Sequence, residues 1–266
     1  MKCIILAAGR GSRLHKYTEA LPKGMLPLAG KPLLKRQIET LRKTGITDIS
    51  IVRGYNKDKI NFNGVKYYES PDWETTGPVI SLFCAAKEFD GSDDVLVSYA
   101  DSIQEPRILK QIMEERFPLS KAIDTDYRDY WTARNGDWKL DSESCTLNSD
   151  GSIKEIGEDG VTDEARLHGR DASLTFISKE MAPKVLELHN KLKERFWDKP
   201  LVDGKGVSKF NMTNLLQSWI DNSWKVMANK IKRGWMEFDT NEDYENALRW
   251  YKTGKIKEFI DLDLTE

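Results

Sequence analysis

The chain has 266 residues, and its 41 Lys and Arg side chains nearly balance 43 Asp and Glu side chains, giving a formal net charge of -2. This length suits one α/β domain, and the lack of a basic excess excludes a protein built to bind a nucleic-acid backbone. The cysteines Cys3, Cys84 and Cys145 are far apart and odd in number, which argues against a disulfide framework or a zinc knuckle. The apolar run after Met1 is too short for a signal peptide or a membrane span, so we expect a cytoplasmic protein with no membrane partner.

The N-terminal half alternates short apolar runs with amphipathic stretches. Apolar residues on both faces predict buried strands, and spacings of three and four residues predict helices. The strands are expected at 3–6, 49–52 and 95–99, and the helices at 34–41 and 81–86. This strand-helix alternation predicts right-handed crossovers and a parallel sheet.

The C-terminal half is less regular. Between Asp124 and Ser178 the periodicity weakens and turn pairs such as Asn135-Gly136 appear, which predicts short antiparallel strands inserted beside the sheet. Further elements are expected as helices at 182–196 and 212–223, a strand at 225–231, and a last helix capped by Thr240 or Asn241 and running to Arg249. The predicted fold is a Rossmann-like, mixed but mainly parallel sheet flanked by helices, with a small antiparallel insertion.

The first strand ends in the turn Ala-Ala-Gly-Arg-Gly-Ser-Arg, residues 7–13. A dinucleotide fingerprint needs a third glycine at the position of Leu14, and a P-loop needs Lys-Ser or Lys-Thr directly after Gly11, so both are excluded. Glycines let backbone N–H groups approach an anion, and the two arginines of the turn and Lys23 add positive charge. The turn therefore predicts a site for a polyphosphate.

A longer, ordered pattern extends from this turn. Its first part comprises residues 6–14, Thr18, Pro22-Lys23, Leu26-Pro27 and Lys31-Pro32-Leu33. Its later parts are Tyr99-Ala100-Asp101 and the set Trp235, Glu237, Asp239, Thr240 and Asp243. This pattern resembles the signature of the nucleotidyltransferases that activate sugar phosphates, phosphocholine and phosphonates, and it is most similar to the branch that cytidylylates phosphocholine and phosphonates.

The resemblance implies a reaction and its main residues. An acceptor phosphate oxygen attacks the α-phosphorus of a nucleoside triphosphate and releases pyrophosphate, so catalysis depends on positioning and charge neutralisation. By resemblance, Arg13 would hold the β- and γ-phosphates and Lys23 the α-phosphate. Asp101 and Asp239 match the two carboxylates with which the family holds Mg²⁺.

The resemblance also implies where the nucleotide binds. The predicted pocket lies near the first turn and the segment 70–78, in the part formed by residues 1–122 of a single domain. Its expected residues are Leu6, Ala7, Ala8, Gly9, Arg10, Gly11, Ser12, Thr76, Ser81 and Tyr99. CTP is favoured by similarity, while UTP and dTTP stay open because one donor or acceptor distinguishes the bases.

An acidic and aromatic cluster opens the second part, residues 123–266, which is expected to bind the acceptor and carry the C-terminal metal strand. Its members are Asp124, Asp126, Tyr127, Tyr130, Trp131 and Arg134. Such a cluster can enclose an ammonium group, which favours a small phosphonate or a phosphocholine-like acceptor.

Two positions depart from that branch. Glu158 stands where it usually has a lysine, and Ser173 where it usually has a glycine. If the lysine binds acceptor phosphate in relatives, Lys154, Arg166 or Arg170 could replace it here.

Other functions remain open at this point. They are a sugar-1-phosphate nucleotidyltransferase using UTP or dTTP, a catalytically inactive nucleotide-sensing homologue, and a flavodoxin-like binding module. The first would require UTP or dTTP with a hexose phosphate, and the last would show no turnover. We expect a monomer or a homodimer.

Overall fold

The computed structural model describes residues 1–265. Its strands, in chain order, are β1 (Lys2–Ala7), β2 (Pro27–Leu28), β3 (Lys31–Pro32), β4 (Asp48–Arg53), β5 (Lys66–Glu69), β6 (Val95–Tyr99), β7 (Ser102–Gln104), β8 (Leu119–Asp124), β9 (Glu143–Leu147), β10 (Ile153–Asp159), β11 (Arg170–Ile177), β12 (Met227–Ile231) and β13 (Trp235–Glu237). Its α-helices are α1 (Leu33–Lys43), α2 (Pro78–Cys84), α3 (Pro106–Glu115), α4 (Arg128–Asn135), α5 (Ala182–Phe196), α6 (Met212–Asp221) and α7 (Asn241–Thr253).

Seven of these strands form the central sheet, in the order β12-β8-β11-β6-β1-β4-β5. Neighbouring strands are parallel except at β11, which runs antiparallel to both β6 and β8. The pairs β9–β10, β7–β13 and β2–β3 make small antiparallel sheets. The predicted mixed, mainly parallel sheet with an antiparallel insertion is confirmed.

The core lies on both faces of this sheet. All six residues of β1 are buried, and the pleat divides them between two apolar clusters. Cys3 and Ile5 pack with α1 and the C-terminal aromatics, whereas Ile4 and Leu6 pack with α2 and α6. Burial on both faces explains why this strand is continuously apolar.

The last helix follows its sequence signals closely. Thr240 accepts a hydrogen bond from the backbone N–H of Asp243, and Asp243 in turn accepts one from the N–H of Thr240, so α7 begins at Asn241 with a capping box. The helix continues past the predicted Arg249 and ends before Gly254, whose φ of 78° is left-handed.

The segment between Asp124 and Ser178 differs from the prediction at its start. Asn135-Gly136 was expected to be a hairpin turn, but it ends helix α4, and Gly136 adopts a φ of 84°. Left-handed glycines serve helix ends as well as hairpins, so the local sequence does not separate the two. The hairpin β9–β10 is as expected, and β11 joins the central sheet rather than the insertion.

The topology places a crevice at the carboxyl ends of β1 and β6. After β1, the strands β4 and β5 add to one edge of β1 within the sheet. The chain then returns, and β6 pairs with the opposite edge of β1. Such a switch point leaves an opening above the strand ends, where α/β proteins commonly bind ligands. Within residues 1–265, no helix is both long and apolar enough to cross a bilayer.

Candidate active site

A cavity of about 220 Å³ occupies the crevice above β1 and β6. Eight residues expected at the nucleotide site line it: Leu6, Ala7, Ala8, Gly9, Gly11, Thr76, Ser81 and Tyr99. Lys23, Gly24, Trp73, Pro78, Ala100 and Asp101 complete the wall. The structure therefore brings the first turn and the 70–78 segment together around one cavity.

Gly11 shows why this turn needs glycine. Its φ of 71° is left-handed, and a Cβ there would lie 3.1 Å from the Cβ and Cδ of Lys23. The turn leads into a 3-10 helix, Ser12–Tyr17, anchored by the buried Leu14. The close approach of Gly11 fixes the path of the Lys23 side chain along the cavity wall.

Two residues expected at the nucleotide site do not line this cavity. Arg10 is exposed, with its guanidinium 5.5 Å from the centre of the Tyr55 ring. Ser12 is exposed at the start of the 3-10 helix. In a turn that reverses direction at Gly11, alternate side chains point outward, so adjacency in sequence does not bring both to the cavity.

The 70–78 segment is held in place by hydrogen bonds. Ser81 Oγ lies 2.9 Å from Ser70 Oγ, and Thr76 Oγ1 donates to the carbonyl of Asp72 at 2.8 Å. The N–H of Gly77 donates to the carbonyl of Ser208. A Cβ at Gly77 would clash with the backbone of Lys209 and Phe210, so only glycine fits there. Trp73, not singled out from the sequence, contributes a half-buried ring to the wall.

A second cavity, of about 300 Å³, adjoins the first. Lys23, Tyr99 and Asp101 line both cavities and so form their common wall. The Tyr99 hydroxyl accepts a hydrogen bond from the N–H of Met212 at 3.2 Å, which ties this wall to the start of α6. The other side chains of the second cavity come from widely separated segments of the chain.

The common wall contains a compact charge cluster. Lys23 Nζ lies 2.7 Å from Asp101 Oδ2 and 2.7 Å from Asp239 Oδ1. Burial acts to lower the pKa of Lys23, but the two carboxylates outweigh it and raise the pKa above its ordinary value. Lys23 is therefore a fixed ammonium at the junction of the two cavities.

Arg13 reaches the same cluster from the solvent side. Its Nη2 lies 3.1 Å from Asp239 Oδ1, while 63% of its side chain is exposed. An exposed guanidinium held at one end can exchange a carboxylate for a phosphate at small cost, because both are bidentate partners. Arg13 lines the second cavity.

Asp101 and Asp239 satisfy the chemistry of a Mg²⁺ site. Their oxygens converge on one point, now occupied by the Lys23 ammonium, and Mg²⁺ prefers one or two carboxylates completed by phosphate oxygens and water. Within residues 1–265, no group of three or more His, Cys, Asp or Glu side chains could hold a metal by itself. The donor set therefore fits an ion that arrives with the triphosphate.

Arg134 organises the C-terminal carboxylates rather than lining a cavity. Its side chain is 2% exposed, and it donates to Asp243 through Nε at 2.6 Å, to Asp239 through Nη2 at 3.2 Å, and to Glu237 through Nη1. Burial raises the pKa of Glu237 although Arg134 donates to it, whereas Lys23 and Arg134 hold the pKa of Asp239 below its usual range despite burial.

The expected acceptor cluster is largely absorbed by the core. Asp124 is fully buried and accepts hydrogen bonds from the Trp235 indole and the N–H of Arg233, while Asp126 pairs with the Arg233 side chain. Tyr127 and Tyr130 are 2% exposed. None of these four residues lines the second cavity, and neither does Arg134. Trp131 does line it.

Three basic residues were expected as candidates for the role of the missing family lysine. Glu158 is exposed and pairs with Arg166, which also pairs with Glu155, and Lys154 is exposed. Neither Lys154 nor Arg166 lines the second cavity, whereas Arg170 does. Of the three candidates, only Arg170 reaches the second cavity.

The other departure has a conformational meaning. Ser173 has a φ of 61° and lies where the pairing of β11 with β8 shifts register. A left-handed residue at a bulge favours glycine, so the glycine of the related branch and this serine serve the same backbone conformation. Ser173 also lines the second cavity.

Sequence analysis missed most of the second cavity. Its unpredicted residues are Asp141, Glu143, Ser144, Cys145, Ile156, Gly169, Asp171, Asn211, Met212 and Thr213. They come from the β9–β10 hairpin and the residues just before it, from β11 and the residue before it, and from the start of α6. No local motif marks them, since they meet only once the sheet and its insertion have formed.

The chain is similar to known proteins in family, sequence and fold. Residues 3–203 match the family model described as the MobA-like NTP transferase domain. The CTP:phosphoglutamine cytidylyltransferase of Campylobacter jejuni is 28% identical over 256 residues, which cover 92% of this chain and 98% of that protein. The choline-phosphate cytidylyltransferase of Streptococcus pneumoniae is 48% identical over 67 residues, or 25% of this chain and 29% of that protein.

Solved structures share the fold at lower identity. The CTP:phosphocholine cytidylyltransferase from Streptococcus pneumoniae superposes with a TM-score of 0.72 at 21% identity, covering 94% of this chain and 98% of that one. The inositol-1-phosphate CTP transferase from T. maritima gives 0.70 at 23%, covering 98% and 97%. The resemblance inferred from the sequence is confirmed. The chain belongs to the MobA-like NTP transferase family and is a nucleotidyltransferase.

Proposed function

We propose that this enzyme transfers CMP from CTP to a small phosphorylated or phosphonate acceptor in a Mg²⁺-dependent reaction that releases pyrophosphate. The observation that carries the proposal is the common wall of the two cavities, where the Lys23 ammonium lies 2.7 Å from both Asp101 and Asp239. A nucleoside in the first cavity would place its triphosphate at this point, between Lys23 and Arg13, where it would face an acceptor phosphate in the second cavity.

In this proposal the chain supplies charge and alignment. An acceptor phosphate oxygen forms the new bond to the α-phosphorus of CTP, and the bond from that phosphorus to the bridging oxygen of the β-phosphate breaks, so pyrophosphate leaves. Lys23 neutralises charge that develops at the α-phosphate, and Arg13 binds the β- and γ-phosphates. Mg²⁺ held by Asp101 and Asp239 would add positive charge at the phosphate oxygens.

The choice of CTP rests on similarity. The relative that is matched over 98% of its length carries CTP and phosphoglutamine in its name, and the relative that is 48% identical over 67 residues carries choline phosphate. Both acceptors contain a phosphate that is ionised near neutral pH, so attack requires no general base. Phosphonate acceptors have the same reacting group.

The test is a pyrophosphate-release panel that crosses CTP, UTP, dTTP and GTP with phosphoglutamine, phosphocholine, aminoethylphosphonate and glucose-1-phosphate. We expect turnover with CTP and a nitrogen-containing acceptor, and its loss when EDTA removes Mg²⁺. Turnover that requires UTP or dTTP and glucose-1-phosphate would contradict the proposal. So would equal rates with all four triphosphates.

A further inference from the structure

Arg170 is a buried cation without a counter-ion. It is 5% exposed, it lines the second cavity, and it has no carboxylate within 4.0 Å among residues 1–265. Its Nε is buried without a hydrogen-bond partner, while Nη2 donates to Ser142 Oγ at 3.3 Å and to the carbonyl of Asp141. Within the same residues, Nη1 makes no hydrogen bond.

Such an arrangement is costly unless an anion completes it. Burial lowers the pKa of Arg170, yet a guanidinium stays protonated, so the charge is present and poorly compensated. The Trp131 ring, 4.3 Å from the Arg170 guanidinium carbon, fixes the orientation of the group without neutralising it. Because Arg170 lines the cavity, its Nη1, which has no partner among residues 1–265, is available to an oxyanion there.

Glu143 has the complementary property in the same cavity. It begins β9 and is half-buried, and no hydrogen bond or ion pair to its carboxylate occurs in residues 1–265. The charged groups that face it are Asp171, Asp159, Arg170 and Asp141. Burial and these three carboxylates raise the pKa of Glu143 to about 7, so a neighbouring cation would be stabilised.

The other carboxylates of the second cavity already have cationic partners. Asp171 lies 2.8 Å from the buried Lys121 ammonium, and Asp101 and Asp239 contact Lys23. Glu237 pairs with Arg134, and the exposed Asp141 lies 4.0 Å from the same arginine. Glu143 is therefore the cavity carboxylate left to bind a ligand cation.

We propose that Glu143 and Arg170 select an amino-acid-like acceptor, with Glu143 binding its primary ammonium group and Arg170 its carboxylate. The inference rests on the proposed function, since Lys23 and Arg13 are assigned there to phosphates and leave Arg170 for a second anion. An ammonium on Glu143 and a carboxylate on Arg170 would satisfy the unpaired groups of the cavity together.

The test compares three phosphate esters that differ by one charged group. O-phosphoserine has ammonium and carboxylate, phosphoethanolamine lacks the carboxylate, and 3-phosphoglycerate has a hydroxyl in place of the ammonium. With CTP, we expect kcat/KM for O-phosphoserine to exceed each of the other two by about tenfold or more, as for a charged hydrogen bond. Most of the difference should lie in the KM of the acceptor.

Single substitutions test which residue causes the preference for the ammonium group and which causes the preference for the carboxylate. Glu143→Gln should bring the ratio of O-phosphoserine to 3-phosphoglycerate close to one, and Arg170→Gln should do so for O-phosphoserine against phosphoethanolamine. Arg170→Lys, which keeps the charge, should restore part of the second ratio. Glu158→Gln and Arg166→Gln, which lie outside the cavity, are the matched controls and should retain both ratios.

Calorimetry with Mg²⁺ and CTP separates the possible failures. A variant that binds CTP normally and keeps the wild-type ratios would overturn the assignment of that residue. Equal loss of all three acceptors in Arg170→Gln would place Arg170 on the reacting phosphate and overturn the second-anion site. A wild-type enzyme that uses CTP with other acceptors but none of these three would overturn the inference alone, whereas failure to bind CTP would overturn the proposed function as well.

Discussion

The two cavities share a wall but are built differently. The first is lined by short stretches that follow β1 and β6 and by one nearby segment, and much of its surface is backbone and small side chains. The second combines residues from both halves of the chain, between Arg13 and Asp239. The difference teaches that a cavity built around a glycine turn can be recognised from a short stretch of sequence, whereas a cavity assembled from distant segments cannot.

The charged side chains that line the two cavities also differ in number and sign. The first cavity is lined by one cation and one carboxylate, Lys23 and Asp101. The second has Arg13, Lys23 and Arg170 against six carboxylates: Asp101, Asp141, Glu143, Asp171, Glu237 and Asp239. An acidic cavity repels an acceptor that carries only phosphate and favours one that also carries a cation.

The largest expected effect tests the long-range assembly of the second cavity. Arg134→Met removes the partner of three carboxylates, none of them more than 19% exposed, and should lower the free energy of unfolding by about 3–5 kcal/mol, as expected when one member of a buried ion cluster is deleted. Urea denaturation measures this loss in the free energy of unfolding. Arg128→Met, on the exposed face of the same helix, is the control and should cost less than about 1 kcal/mol. Similar values for both would contradict the role given to Arg134.

The common wall is tested by Lys23→Met. Loss of the ammonium that bridges Asp101 and Asp239 should reduce kcat by about two or more orders of magnitude, because a charge partner of the transition state is removed. Lys31→Met, whose side chain pairs with Glu39 outside both cavities, should leave kcat unchanged. Equal kcat in the two variants would remove Lys23 from the mechanism.

The local motif is tested by Gly11→Ala. The left-handed φ and the 3.1 Å approach to Lys23 make any Cβ unfavourable, so the KM for CTP should rise by about tenfold, equivalent to a strain of about 1–2 kcal/mol. Steady-state kinetics at saturating acceptor measure the change. Gly45→Ala has a similar left-handed φ of 87° but lies outside both cavities, so it is the control and should leave the KM for CTP unchanged; an equal rise there would contradict a local effect of Gly11.

The acceptor preference is tested by pH. Glu143 ionises as pH rises through about 7, so the KM of an ammonium-bearing acceptor should fall by about five- to tenfold between pH 6 and 8. The Glu143→Gln enzyme should lack this fall, and 3-phosphoglycerate controls for ionisation of the phosphate. Because the folded state holds the proton more tightly than the unfolded state, Glu143 lowers stability as pH rises from about 4.5 to 7, and Glu143→Gln should raise Tm at pH 8 by about 2–5 °C. A pH dependence that persists in the variant would exclude Glu143 as its source.

The smallest effect concerns the bulge in β11. Ser173→Gly should stabilise the protein by about 0.5–1 kcal/mol, because glycine adopts the observed φ of 61° without the steric penalty of a Cβ. Thermal unfolding measures the gain. Ser98→Gly, in the regular strand β6, should instead destabilise the protein. A loss of stability in Ser173→Gly would show that its side-chain contacts outweigh the backbone strain.

The sequence predicts best what short-range physics determines. The apolar strand at 3–6, the helix at 182–196 and the cap at Thr240 depend on periodicity and capping, and all three are found. The glycine turn at the first cavity is recognised for the same reason, because residues 7–13 form one continuous stretch at the end of β1.

The residues whose roles the sequence does not predict depend on partners that are distant in the chain. Arg134 looks like an acceptor ligand in its local context, but its carboxylates lie more than one hundred residues away and draw it into the core. Arg170 and Glu143 belong to no motif, and their significance appears only when the cavity shows which charges lack a partner. The aromatic residues of 127–131 pack inward because α4 replaces the expected strand.

The most direct test of the proposed function is the product of one turnover. The enzyme would be incubated with Mg²⁺, an equimolar mixture of CTP, UTP, GTP and dTTP, and a mixture of phosphorylated acceptors, and the products identified by mass spectrometry. The account predicts pyrophosphate and a cytidine diphosphate-linked acceptor. A uridine- or thymidine-linked product, or no nucleotidyl product with any acceptor, would contradict it.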